Sequence, residues 1–391
     1  MKLEGNTKIL YVTNQFEYFQ AHWRARAEGA ARAGYEVHLA VPGGMDLHFD
    51  PFRLWHYPLT RHGVNPFAEI SSIVALRRIV RTVQPSIIHT GTVKANLYSA
   101  LLHNKAVVLM TITGLGFPFI STSLHTRLFV RPFIEFSYRA LARRKRVYYN
   151  FENYEDQQLF LENRLVEPSL CRSVVLPAAG VDILRFRFTP EPQGVPVVLL
   201  ASRMLWDKGV GEFVEAAREL RARGVAARFV LVGDSDPDYT LAVPRTLLQE
   251  WTAEGVVEWW GHHPSEEMPS VLAKANLICL PSYREGFPRA LLEAGACGRA
   301  IVTTDVPGCR QAVQNGHNGL LIPPRDSMAL AQTIATLLRD PVAREEMGRR
   351  GREFVVRAFS EDDGVAKTLE LYRALLSEDH RGLEIVASGH P

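Results

Sequence analysis

No apolar run in this chain reaches the roughly 20 residues that a membrane-spanning helix requires. The opening residues 1–12, MKLEGNTKILYV, lack the long apolar core of a secretory leader and read as a first strand. Cysteine is scarce: Cys171, Cys279, Cys297 and Cys309 are the four, and none belongs to a C-x-x-C pair. Cys279 and Cys297 lie in apolar surroundings. The pattern argues against a cysteine-ligated metal cluster and suits core thiols in a reducing, cytoplasmic setting. Neither half opens with G-x-G-x-x-G after its first strand, which argues against a dinucleotide-dependent dehydrogenase. Net charge is only +3, so an anionic partner must be sought in a local excess.

What the chain does have is alternation. Its 391 residues favour two or three domains. Strand patterns at 8–14, 35–41, 52–59, 86–92 and 106–113 alternate with helical ones at 21–33, closed by Gly34, and at 66–83, ending before Pro85. A second series places strands at 195–202, 227–234, 256–261, 276–282, 300–305 and 318–324, then a helical stretch at 341–376. Such alternation predicts parallel sheets covered by helices, an α/β fold of two Rossmann-like halves. Ligands in such folds gather at the carboxyl ends of strands, here 14–15, 89–94 and 113–116. The Pro/Gly-rich connector 189–196 marks the boundary region. The expected division is a first domain at 1–185 and a second at 186–360. A C-terminal helix is expected at 361–378, and 379–391 as a polar, disordered tail.

Charge is unevenly spread. Residues 1–177 carry 21 Lys+Arg against 13 Asp+Glu; the remainder carries 24 against 29. A basic N-terminal half points to an anionic partner: nucleic acid, a membrane surface or a phosphorylated acceptor. The excess concentrates at 124–147. There Arg127, Arg131, Arg139, Arg143, Arg144, Lys145 and Arg146 are interleaved with large apolar residues, Phe129, Phe133 and Phe136 among them. A basic amphipathic helix can lie in an anionic membrane interface, each cation contributing about 1 kcal/mol near such a surface. A core helix with a solvated charged face has the same pattern.

The stretch with the most chemistry is 281–298, PSYREGFPRALLEAGACG, which reads strand end, turn, helix. Gly286 supplies a backbone conformation other residues resist. Pro288 sits where a first helical residue belongs, having no N–H to lose there. Glu285 precedes the helix. Glu293 lies inside it, between Leu292 and Ala294, where a carboxylate is costly unless hydrogen-bonded or paired. Helix N-termini attract phosphate, and two acidic acceptors beside one suit the hydroxyls of a nucleotide sugar. Arg203 and Lys208, in ASRMLWDKGVGEF, supply two cations for a diphosphate, and Gly209 permits a tight entry to the next helix. Taken singly, each has a plainer reading as a paired helix glutamate or a surface cation. Asp234-Ser235-Asp236 has the form of a D-x-D metal site, but DSDPD is good turn chemistry. His262 and His263 follow a strand, where a nucleotide base can approach them.

The frame E-G-F-x-x-x-L-L-E-A from Glu285 to Glu293 closely resembles the E-x7-E signature of the retaining GT-B glycosyltransferases of family 4, group 1. R-x4-K-G at Arg203 resembles the same pattern, as do GVDILRF (180–186), ACGRAIVTTDVPGCRQAV and NGHNGLLIPPRD, so the likeness covers nearly the whole chain. It implies two domains facing a cleft, a C-terminal helix that crosses back to the first of them, a nucleotide-sugar donor, UDP-linked, and catalysis without a metal or other cofactor. It implies catalytic roles for Arg203, Lys208 and Glu285, the cations on the donor diphosphate and the acid on the donor sugar. Gly286, Phe287 and Arg289 would complete the donor cradle, with Glu293 on the ribose and His262 near the base. HTGTVKANLY (89–98) and TITGLGFPF (111–119) resemble a narrower subgroup that extends polyprenyl-diphosphate-linked sugars in bacterial capsule, O-antigen or protein-glycan assembly. That likeness implies acceptor binding by His89, Lys94, Thr113 and Gly114, a peripheral position on the inner face of the cell membrane through 124–147, and no nucleic-acid partner. There are departures. Thr-Ile-Thr-Gly offers no histidine where many members place one on the donor sugar, Asn14-Gln15-Phe16 replaces the usual Gly-rich first loop, and Pro288 removes one N–H from the cradle. A sugar-nucleotide epimerase of the same fold and a non-catalytic sugar-nucleotide-binding subunit stay open as alternatives.

Overall fold

The computed structural model describes residues 7–43, 50–59, 65–102, 105–114, 124, 126–167, 172–176, 180–237 and 239–377; Cys171 and the tail at 379–391 lie outside them. The chain divides into two compact units, Met1–Ala179 with Asp362–Pro391, and Gly180–Glu361. The division therefore falls at 179/180 rather than 185/186. The reason is the connector, which is built into the second unit. Fully buried Arg299 donates to the Thr189 and Pro190 carbonyls. Arg344 clasps the buried Glu191 carboxylate at 2.6 Å.

The first unit holds a seven-stranded parallel sheet in the order β3-β2-β1-β4-β5-β6-β7. Its strands are β1 (Lys8–Val12), β2 (Glu36–Pro42), β3 (Arg53–Tyr57), β4 (Ile87–Gly91), β5 (Val107–Ile112), β6 (Val147–Phe151) and β7 (Ser173–Val175). The central strands are buried almost end to end, the polar His89, Thr90 and Thr111 included, because both faces are covered. Helices α1 (Phe16–His22) and α2 (Arg24–Arg32) lie on one face, where Tyr11, Phe19, Trp23 and Ala27 pack with Leu371, Tyr372 and Leu375 of the chain's last helix. On the other face lie α3 (Pro66–Val83), α4 (Val93–Leu101), α5 (Arg131–Ala142) and α6 (Tyr154–Glu162), which bury Leu76, Val80, Ile134, Tyr138 and Phe160 against the sheet. The single helix expected at 21–33 is two, broken at Trp23, whose φ of −126° is not helical. β6 and β7 were not foreseen: β6 follows directly on a run of cations, and β7 is three residues long.

The second unit holds a six-stranded parallel sheet in the order β10-β9-β8-β11-β12-β13. The strands are β8 (Val197–Ala201), β9 (Arg228–Val232), β10 (Glu258–Gly261), β11 (Leu277–Leu280), β12 (Ala300–Thr304) and β13 (Gly319–Ile322). Among its helices are α7 (Val210–Ala222), α8 (Arg289–Ala296), α9 (Pro307–Ala312) and α10 (Pro341–Ala358). Val198, Leu200, Phe213, Leu231, Leu277, Cys279 and Val302 form its core. The last helix, α11 (Glu361–Ser377), is separate from α10, and from Asp362 on it belongs to the first unit, as expected of the crossing helix. Tyr372 fixes it there, its hydroxyl 2.8 Å from that of Tyr11 and 2.6 Å from Nδ1 of His89.

Candidate active site

In the second unit the loops after β8, β9, β10, β11 and β12 leave the same, carboxyl, edge of the sheet. After β8 the chain turns through Trp206–Lys208 and enters α7 at Gly209, whose φ is +72°. A Cβ there would lie 2.2 Å from the Pro281 carbonyl oxygen, so only glycine lets the Lys208 turn sit against the loop after β11. Tyr283 N–H donates to the Asp207 carbonyl at 2.8 Å and locks the two loops together. The result is an ion pair: Lys208 Nζ is 2.6 Å from Glu285 Oε1, with both side chains four-fifths or more buried. Ser282 Oγ donates to the same oxygen at 2.6 Å.

Glu285 is held from behind as well. Gly308 N–H, in the first turn of α9, donates to the Glu285 carbonyl. A Cβ on Gly308 would stand 2.4 Å from the Gly286 carbonyl oxygen, so V-P-G at 306–308 is a close-approach signal. Pro288 is the residue before α8 rather than its first residue, with ψ of 96°. Among the described residues no side chain caps α8, so the amides of Arg289 and Ala290 face outward from that end, while that of Leu291 donates to the Pro288 carbonyl.

Glu293, one turn into α8, is buried and accepts from Arg289 Nε at 2.8 Å. Burial pushes its carboxyl up from the ordinary value, against the pull of Arg289 and then Arg185. Glu293 and Ala290 form one wall of an open pocket of about 350 Å³. Arg203, Asp234, His262 and His263 are among the residues that line the remainder. Exposed Arg203 lies with its guanidinium 5.3 Å from the Tyr239 ring centre. The Asp234 carboxylate is taken by Arg245 at 2.6 Å, which makes it a structural turn residue. Among the described residues, no three His, Cys, Asp or Glu side chains group as a metal site.

The structure thus brings Lys208 with Glu285, and Arg203 with Glu293 and His262. Phe287 is different. Its ring is buried on Phe359, 5.3 Å between centres, so only its backbone is left to serve a ligand. Tyr283 was missed. Its hydroxyl donates to Glu212 on α7 at 2.6 Å, and Arg325 covers its ring at 4.4 Å. No local spacing relates 283 to 212.

In the first unit Lys94 stands in the first turn of α4, with Nζ 2.7 Å from Glu69 of α3. Thr113 and Gly114 follow β5, Gly114 at φ +102°; the rest of the 111–119 motif, from 115 on, lies outside the described residues. Thr92, the residue before α4, holds φ +77° and ψ 151°, a conformation that is costly for a β-branched side chain. His89 must be corrected. It is 1% exposed, its ring nitrogens meet Tyr372 and Thr111, and its ring packs 4.6 Å from Trp23. Burial, then Arg26, lowers its pKa well below the usual value, so the ring is neutral. It joins the sheet to the last helix and presents no surface to an acceptor.

Residues 184–354 match the family described as glycosyl transferases group 1, and residues 8–148 match glycosyl transferase 4-like. The two matches together span most of the chain, which is a glycosyltransferase of GT-B architecture with a 4-like domain followed by a group 1 domain. It is 27% identical, over 81% of its length and 84% of the relative's, to the N,N'-diacetylbacillosaminyl-diphospho-undecaprenol alpha-1,3-N-acetylgalactosaminyltransferase of Campylobacter jejuni. Its fold matches the sucrose-phosphate synthase of Thermosynechococcus elongatus with a TM-score of 0.80 and 21% identity, covering 96% of this chain and 100% of that one. It also matches Anabaena HepE in complex with UDP, TM-score 0.74 and 17% identity, covering 94% and 100%.

Proposed function

We propose that this glycosyltransferase moves a hexosyl or N-acetylhexosaminyl group from a UDP-linked donor to a polyprenyl-diphosphate-linked sugar in bacterial polysaccharide or glycan assembly. The observation that carries the donor half is the Lys208–Glu285 pair set beside uncapped α8, with Arg203 and Glu293 in the adjoining pocket. Two cations and a helix N-terminus suit a diphosphate; a buried carboxylate suits ribose hydroxyls. The names of the Campylobacter relative and of the UDP-bound HepE structure support the acceptor and the nucleotide.

As the sugar C1–O bond breaks, its electron pair moves onto the diphosphate oxygen. Arg203, Lys208 and the α8 amides stand where that negative charge grows. The acceptor hydroxyl oxygen bonds to C1 on the same face, its proton passes to the departing phosphate, and the product keeps the donor's anomeric configuration. The cations take the place of a metal, so chelation with EDTA leaves turnover unchanged. Lys94, Thr113 and Gly114 bind the acceptor, whose diphosphate competes with Glu69 for the Lys94 ammonium.

The segment at 124–147 supports a position on the inner face of the cell membrane. Leu124, Leu128, Phe129, Phe133 and Phe136 are each at least 64% exposed, beside exposed Arg127, Arg139, Arg143, Lys145 and Arg146. Among the described residues no helix is long and apolar enough to cross a membrane. Arg203→Ala and Lys208→Ala should each lower kcat by roughly 10²–10³-fold. Near wild-type turnover in both variants would remove the catalytic assignment, and an epimer formed from donor alone would replace transfer by epimerisation.

A further inference from the structure

The sequence drew attention to 124–147 alone, yet α3 carries a second stripe of the same kind. Asn65 caps it, its side chain accepting from Phe67 N–H at 3.1 Å, and Pro66 starts it. Ser72, Leu76, Ile79, Val80 and Val83 face the core. The opposite face leads with Phe67, Ile70 and Val74, which are 84%, 59% and 43% exposed. It continues with exposed Arg77, Arg78 and Arg81. These positions recur at helical spacing, so they form one stripe, apolar in its first half and cationic in its second.

The stripe on α5 and the turn before it has the same order, apart from exposed Arg127 at its start. Leu128, Phe129, Phe133 and Phe136 come first, and Arg139 and Arg143 follow. α3, α4 and α5 cover one face of the sheet, with the almost wholly buried α4 packed between the other two. Each is a crossover between parallel strands, so all three start at the sheet's carboxyl edge and run toward its amino edge. The apolar ends of both stripes therefore lie at the edge that carries Lys94, Thr113 and Gly114. Phe67 and Ile70 flank Glu69, the partner of Lys94.

We infer that α3 and α5 act together as a pair of rails on an anionic bilayer, with α3 contributing a contact of its own. The apolar halves enter the headgroup boundary and the arginine halves meet lipid phosphates. That pitch tilts the carboxyl edge of the first unit toward the lipid, where a diphosphate carried on a polyprenyl chain emerges. The inference rests on reading 124–147 as a bilayer contact, and it adds a second helix and a direction.

Vesicle sedimentation of the full-length chain tests it, using phosphatidylglycerol-containing vesicles at low salt. The apolar variant Phe67→Ser/Ile70→Ser/Val74→Ser should need at least about tenfold more lipid for half-binding. The charge variant Arg77→Glu/Arg78→Glu/Arg81→Glu should do the same and bind with a weaker salt dependence. It serves if the apolar variant does not fold. Wild-type affinity in both, alongside loss of binding in Phe129→Ser/Phe133→Ser/Phe136→Ser, overturns the role of α3 and leaves the 124–147 reading standing. Wild type that ignores the vesicles overturns both. A lipid-free dimer that the α3 apolar variant abolishes assigns the stripe to a second copy of the chain and overturns the bilayer.

Discussion

Glu293 is the residue at which protonation would couple the fold to the proposed nucleotide. Burial raises its carboxyl above the ordinary value, so the folded state holds a proton that the unfolded chain releases at lower pH. Between the unfolded value and the raised one, the folded chain binds more protons, and stability falls as pH rises. Glu293→Gln should flatten that slope, read as the difference in melting temperature between wild type and variant across the acid range. A ribose hydroxyl donating to Glu293 favours the charged form. Nucleotide affinity should therefore rise with pH through the same window in wild type and stay flat and weaker in Glu293→Gln, as calorimetry would show. The Glu285–Glu293 frame and its cations were legible because the spacing is local and unusual. His89 was misplaced because its strand position said nothing of Tyr372, 283 residues further along the chain. Tyr283 was invisible for the same reason.

At the scale of elements, the site is held by close backbone approaches. Gly308→Ala forces a Cβ onto the Gly286 carbonyl. It should displace the Glu285 loop and cut kcat at least about tenfold while the far-UV circular dichroism is unchanged; unaltered kcat would show that α9 does not hold the loop. The connector gives a stability prediction. Glu191 and Arg344 are about 95% buried, and Asn276 Nδ2 donates to the same carboxylate at 3.0 Å. Arg344→Ala leaves that charge buried and unpaired, at a cost of about 3–5 kcal/mol in denaturant unfolding. A loss below 1 kcal/mol would mean that the connector is not anchored there. The alternation of apolar strands and amphipathic helices was readable because its two periods differ. The 179/180 division was not, since composition marks 189–196 as a linker while two buried arginines tie it to the second unit.

For the whole molecule, the proposal gives the two α/β units separate tasks. The second presents cations and uncapped amides; the first presents Lys94 and two amphipathic stripes. A ligand that binds only the folded chain at 100 times its Kd stabilises it by about 2.7 kcal/mol, so UDP should raise the melting temperature of wild type and much less that of the Lys208→Ala/Glu293→Ala double variant. The most direct measurement is a crystal structure with UDP bound. The diphosphate is expected within hydrogen-bonding distance of Lys208 and the first amides of α8, and the ribose on Glu293. Nucleotide density elsewhere, with Lys208 still paired to Glu285 and the Glu293 pocket empty, would contradict the assignment of this edge as the donor site.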